Sequence, residues 1–168
     1  LGGHCIPLDP YYLTWKAREF GFHTSMIESS MIINDKMPEY TVDRAASVLN
    51  EHKKALNGSK VLVLGVAYKN NIDDYRESPA LNVIDILKER GAVTDFYDPW
   101  IPKYKRNGEW HKGISEINAD IIKEYDLILV ATAHDAYDYD MIRKNALAIF
   151  DTRNAFKDVE ERDNITLL

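Results

Sequence analysis

The run Lys60-Val61-Leu62-Val63-Leu64-Gly65-Val66-Ala67 constrains the fold more than any other stretch of this sequence. It is continuously apolar and rich in β-formers, so it is not a strand with one wet face. It reads as a strand buried on both faces, the condition of a parallel sheet covered by helices. Leu127-Ile128-Leu129-Val130-Ala131 obeys the same logic, and Val93–Tyr97 and Ala148–Asp151 are shorter candidates. Helical patterns lie between them. Ser78-Pro79 opens one that runs to Arg90 and stops at Gly91, and Ile114–Tyr125 and Tyr139–Asn145 supply two more. Strands alternating with helices at these lengths specify βαβ units, hence an α/β fold with an open, mostly parallel sheet. The stretch from Trp100 through Asn107-Gly108 to Trp110 lacks periodicity and reads as a surface excursion or flap, and the charged tail 157–164 as solvated.

Upstream of this pattern the chain is helical. Asp9 followed by Pro10 reads as an N-cap and a first helical residue, leading a helix from Tyr11 to Phe20 that stops at Gly21. A second helix is expected from near Asn34 to Glu51, with Pro38 confined to its first turn. The turn at Asn57-Gly58 divides the chain into an all-helical segment, residues 1–56, and a sheet-bearing domain, residues 57–168.

The net charge of -6 argues against a nonspecific grip on nucleic acid, so any bound anion must meet a local cationic site. A single cysteine excludes an internal disulfide and suits a reducing, cytoplasmic setting. No apolar run approaches the roughly 20 residues that span a bilayer, and no membrane role is expected.

Cys5 stands between the pair Gly2-Gly3 and the helix-opening Asp9-Pro10. Glycines there allow a ligand to approach the main chain closely, and a helix N-terminus favours thiolate, the nucleophilic form. The competing reading is a small buried hydrophobe. In open α/β sheets, ligands bind beyond the carboxyl ends of the strands. The first strand delivers Tyr68 and Lys69 to that edge, followed by Asp73-Asp74, Arg76 and the Ser78 helix start, and the last strand delivers Asp151-Thr152-Arg153. Two cations and a helix N-terminus suit phosphate. The alternatives are that Lys69 and Arg76 pair with Asp73 and Asp74, and that Arg153 satisfies loop carbonyls. No Gly-x-Gly-x-x-Gly follows the first strand, so the dinucleotide fingerprint is absent. The histidines, including His134-Asp135, are not spaced like a metal site, and no metal is expected.

Gly-Gly-His-Cys-Ile-Pro-Leu-Asp-Pro-Tyr-Tyr-Leu resembles the catalytic cysteine motif of the nucleotide-sugar 6-dehydrogenases, the family that contains the UDP-glucose and GDP-mannose dehydrogenases. Lys69, Asp73-Asp74 and Arg76-Glu77-Ser78-Pro79 match its spacing after the first strand of the C-terminal domain, and Asp151-Thr152-Arg153 is similar to its Asp-x-Arg motif. The resemblance covers nearly the whole chain.

It implies a Rossmann-like UDP-sugar-binding C-terminal domain preceded by a helical linker that builds a homodimer, with the NAD-binding domain upstream. It also implies oxidation of the sugar's C6 to a carboxylate with two NAD, through a thiohemiacetal and a thioester on Cys5, with Asp9 assisting water and proton transfer. Lys69 and Arg153 would hold the nucleotide sugar, with Tyr68, Gly2 and Gly3 beside it, and Arg76 would reach the cofactor. Ile6, Leu8 and Tyr11–Lys16 resemble the branch acting on UDP-N-acetylglucosamine, with UDP-N-acetylmannosamine and UDP-glucose as alternatives, and the products feed capsule or O-antigen polysaccharide. As a fragment, the chain is expected not to turn over alone. A module that binds nucleotide or dimerises without chemistry is the other reading; it would share the cations but need no reactive thiol.

Overall fold

The chain's computed structural model describes residues 1–168. Strand β1 (Lys60–Leu64) lies inside a five-stranded sheet, between β2 (Val93–Tyr97) and β5 (Leu127–Val130), with β6 (Ile149–Asp151) and β7 (Ile165–Leu167) continuing beyond β5. Every pairing in this sheet is parallel. The continuous apolar runs are explained by what covers them. Val61 and Val63 face a core built with Leu81, Ile84 and Leu87 of α3 (Pro79–Glu89), while Leu62 and Leu64 face Ile122 of α4 (Ala119–Lys123) and Ile142 of α5 (Tyr139–Asn145). All four strand residues are fully buried. Burial of this kind is worth about 1.5–3 kcal/mol per large aliphatic side chain.

The chain order reverses between β1 and β5, since β1 connects outward to β2 and the chain then returns to the other side of β1. The loops after β1, β5 and β6 therefore meet at one edge, the topological switch point.

Several boundaries differ from the sequence reading. Helix α1 (Asp9–Glu19) is capped by Leu8 without a side-chain bond, so Asp9 is its first helical residue rather than its cap, and Pro10 its second. Helix α2 (Ser25–Glu51) begins well before Asn34 and holds Pro38 in its interior. Its first half leaves Met26, Ile32 and Ile33 exposed, so no apolar stripe marked it as helical. Its second half buries Val42, Ala45, Val48 and Leu49 in the core shared with α3 and the sheet. The helical segment is thus partly built into the sheet domain. Residues 100–112 form a hairpin, β3 (Lys103–Arg106) with β4 (Glu109–Lys112), around Asn107 and Gly108 at φ 52° and 86°. Positive φ at both central residues is the type I′ turn that Asn-Gly favours. The helix expected over 114–125 shrinks to α4, which Asn118 caps by accepting the Asp120 and Ile121 amides.

Candidate functional site

At the switch point a cleft of ≈ 430 Å³ opens between the sheet edge, α2 and the amino-terminal loop. Its lining brings together Gly2, Tyr68, Lys69 and Arg153. Local sequence places each of them. Gly65 closes β1 at φ 85°, and a Cβ there would lie 2.5 Å from the Thr132 Cβ, so only glycine lets the β1 and β5 ends meet. The chain then turns outward through Tyr68 and Lys69, with the Thr132 hydroxyl donating to the Ala67 carbonyl at 2.6 Å. After β6, buried Asp151 accepts the Arg153 amide at 2.9 Å and the Phe156 amide at 3.0 Å. That carboxylate is committed to shaping the loop, and the Arg153 guanidinium is left for the cleft. Neither Lys69 nor Arg153 meets a carboxylate within ion-pair distance.

Arg76 behaves differently. Its Nε and Nη2 donate to the two oxygens of Asp74, each at 2.9 Å, and its amide donates to Asp74 Oδ1 at 3.0 Å. The guanidinium holds the Asp74 carboxyl down at about 2. Arg76 is exposed and lies outside the cleft lining, so the ion-pair reading describes its ground state; Nη1 alone remains free.

The glycine pair docks the amino-terminal loop. Gly3 donates its amide to the Glu77 carbonyl at 3.2 Å, a Cβ on Gly2 would sit 2.3 Å from that oxygen, and a Cβ on Gly3 would sit 2.9 Å from the Tyr68 ring. What approaches these glycines is the chain's own Glu77–Pro79 corner and Tyr68. Cys5 follows, exposed, with its carbonyl accepting the Leu8 and Asp9 amides at 3.0 and 2.8 Å. Cys5 is not in the cleft lining, although Gly2 and Ile6 on either side of it are. Asp9 is exposed on the first turn of α1.

Ser78 opens α3 as expected but without the expected capping bond, and two further residues, Asp98 and His134, had no structural role assigned from sequence. Ser78, the N-cap of α3, makes no side-chain cap bond; its hydroxyl is buried without a partner while the residue lines the cleft. Asp98, just beyond β2, is buried and accepts the amides of Val66, Ala67, Trp100 and Ile101. His134, fully buried, stands against it at 3.1 Å. Burial pushes the Asp98 carboxyl up, but hydrogen bonds from His134 and from the Val66 and Trp100 amides outweigh it and hold the group below the ordinary carboxylate range. No three His, Cys, Asp or Glu side chains converge to hold a metal ion.

An open parallel sheet with two unpaired cations and a helix N-terminus at its switch point is an α/β arrangement suited to the phosphates of a nucleotide. Residues 62–158 match the UDP-binding domain of the UDP-glucose/GDP-mannose dehydrogenase family, and residues 1–36 match that family's central domain. The chain belongs to the UDP-glucose/GDP-mannose dehydrogenase family. It is 32% identical over 137 residues to the UDP-N-acetyl-D-glucosamine 6-dehydrogenase of Pseudomonas aeruginosa, covering 82% of this chain and 32% of that protein. It is 35% identical over 164 residues to the UDP-N-acetyl-D-mannosamine dehydrogenase of Methanococcus maripaludis, covering 92% and 35%. Among solved structures it resembles a UDP-D-ManNAc dehydrogenase from Pyrococcus horikoshii, with a TM-score of 0.77 at 27% identity over 99% of this chain and 38% of that one. The chain spans about a third of the length of the curated relatives it matches, 32% and 35% for the two named.

Proposed function

We propose that this chain is the substrate-binding and thiol-bearing part of an NAD-dependent dehydrogenase that oxidises C6 of a UDP-N-acetylhexosamine to the uronic acid. UDP-N-acetylglucosamine is preferred over UDP-N-acetylmannosamine as the substrate; both sugars occur in the names of similar proteins. The setting is cytoplasmic and the product serves capsule or O-antigen synthesis. No helix is long and apolar enough to cross a membrane. One observation carries the reading: Lys69 and Arg153, both without carboxylate partners, line one cleft against a docked glycine loop that presents an exposed cysteine.

In this scheme Lys69 and Arg153 clasp the diphosphate, the arginine with two prongs, and the Tyr68 ring forms the wall beside the sugar or uridine. Two molecules of NAD, bound in turn, would supply the hydride acceptor for the oxidation of alcohol to aldehyde and of thiohemiacetal to thioester, each oxidation also releasing the hydroxyl proton to solvent. Arg76, its guanidinium oriented by the tether to Asp74, would hold a phosphate oxygen of that cofactor through Nη1. Cys5 attacks the C6 aldehyde: a C–S bond forms, the carbonyl electrons move to oxygen, and the thiol proton ends there as a thiohemiacetal. Once that carbon is oxidised to the thioester, water adds, the C–S bond breaks, and the thiol is regenerated as the acid leaves. In the same scheme Asp9, one turn beyond Cys5, orients that water. The exposed apolar side chains of α1 and α2 support a homodimer through this segment.

The covalent step is tested in the complete enzyme with UDP-N-acetylglucosamine and NAD. Cys5→Ala is expected to lower NADH production by about a thousandfold or more, within the range that nucleophile removal costs, while UDP still binds. Full turnover by Cys5→Ala contradicts it.

A further inference from the structure

His134 is buried to 0% exposure at the switch point, yet the chemistry above leaves it without a task. Its Nδ1 accepts the Asn71 amide at 2.9 Å and its Nε2 faces Asp98 Oδ2 at 3.1 Å. Because Nδ1 must offer a lone pair to an N–H, the ring proton belongs on Nε2, where it is donated to Asp98. The other end of the contact is unusual too: Asn71 sits at φ 62°, a conformation a non-glycine residue keeps only with support.

The segment between Ala67 and Asn71 carries Tyr68 and Lys69. It is tied at its start by the Thr132 hydroxyl to the Ala67 carbonyl, and at its end by His134 to the Asn71 amide. The Asn71 side chain adds a reciprocal pair with Asp135, donating to Oδ2 at 2.7 Å and accepting the Asp135 amide at 3.0 Å. Lys69 itself makes no ion pair, so its position in the cleft follows from where these backbone ties hold the strap. Asp98 in turn binds the ends of β1 and β2 together through four amides, which fixes the base on which His134 rests.

We propose that His134 is a positioning residue: by accepting the Asn71 amide it sets the strap that holds Lys69 in the cleft, in the Nε2–H form that Asp98 selects. The proposal rests on reading the cleft as the UDP-sugar site. Two substitutions separate the two ring nitrogens. His134→Asn places an amide oxygen near the position of Nδ1 and keeps the acceptor for Asn71; His134→Gln reaches the position of Nε2 and keeps the donor to Asp98 while losing that acceptor. In the complete protein, UDP affinity by calorimetry is expected to fall about tenfold or more in His134→Gln, the scale of one lost hydrogen-bonded placement, and to stay within about threefold in His134→Asn. Hydrogen exchange at the Asn71 amide is expected to remain slow in His134→Asn and to become fast in His134→Gln. Equal losses in both variants that track their melting temperatures, or wild-type affinity with a protected Asn71 amide in His134→Gln, overturn the proposal. If the wild-type protein fails to bind UDP, the substrate reading fails, and the exchange measurement still decides the role of His134.

Discussion

Glycine at position 3 is required by geometry on both counts that matter, a backbone at φ 96° and a neighbouring ring where a Cβ would go. Gly3→Ala is therefore expected to cost about 1–3 kcal/mol in local strain and to loosen the cysteine loop from Glu77 and Tyr68. Faster iodoacetamide labelling of Cys5 in the variant, with the sheet's far-ultraviolet circular dichroism unchanged, checks this. At the same scale Asp98 gives a pH dependence. Its carboxyl is held below its ordinary value in the folded state, so the stability it contributes is complete above about 4, the unfolded value, and is lost as pH falls through the lower folded value. Urea midpoints should thus decline on acidification below about pH 4 more steeply in the wild type than in Asp98→Asn. That variant should already be weaker at neutral pH, because an amide cannot accept from four N–H groups and a histidine at once. Parallel curves for the two proteins would refute the assignment.

At the scale of the element, what the sequence disclosed depended on burial. β1 and β5 were legible because both their faces are covered, which forces an unbroken apolar run, and Val93–Tyr97 matched β2 at both ends. The start of α2 was hidden because its first half is not buried, and β7 is three residues that borrow their register from β6. The β3–β4 hairpin carried its signal in Asn107-Gly108, but its strands are short and charged and were read as a flap. Within the site the cations and the glycines were legible as residue types. The pairing of Arg76 with Asp74 was legible as one of two readings, whereas the stapling role of Asp98 and the acceptor role of His134 were not, because both depend on contacts between segments distant in the chain. α2 also supplies a test. If its second half belongs to the core, Leu49→Ala should cost about 2–5 kcal/mol by chemical denaturation; a helix standing apart from the sheet would lose no more than about 0.5 kcal/mol.

For the molecule as a whole, the apolar surface is unevenly distributed. Trp15 is 63%, Phe20 79%, Met26 86% and Ile33 63% exposed, all on α1, α2 and their junction, while the sheet's two faces are covered. The complete protein is expected to sediment as a dimer, and Trp15→Glu with Ile33→Glu to shift it toward monomer without changing UDP affinity. A monomeric wild type would remove the assembly part of the account.

The proposed function stands on a diphosphate clasped between Lys69 and Arg153 in the switch-point cleft. Calorimetric titration of UDP into the complete protein and its Lys69→Ala and Arg153→Ala variants addresses it directly. Each single variant is predicted to lose about tenfold or more in affinity, in keeping with roughly 1.5–3 kcal/mol for a hydrogen bond to a charged group. Undiminished affinity in both variants would contradict the claim.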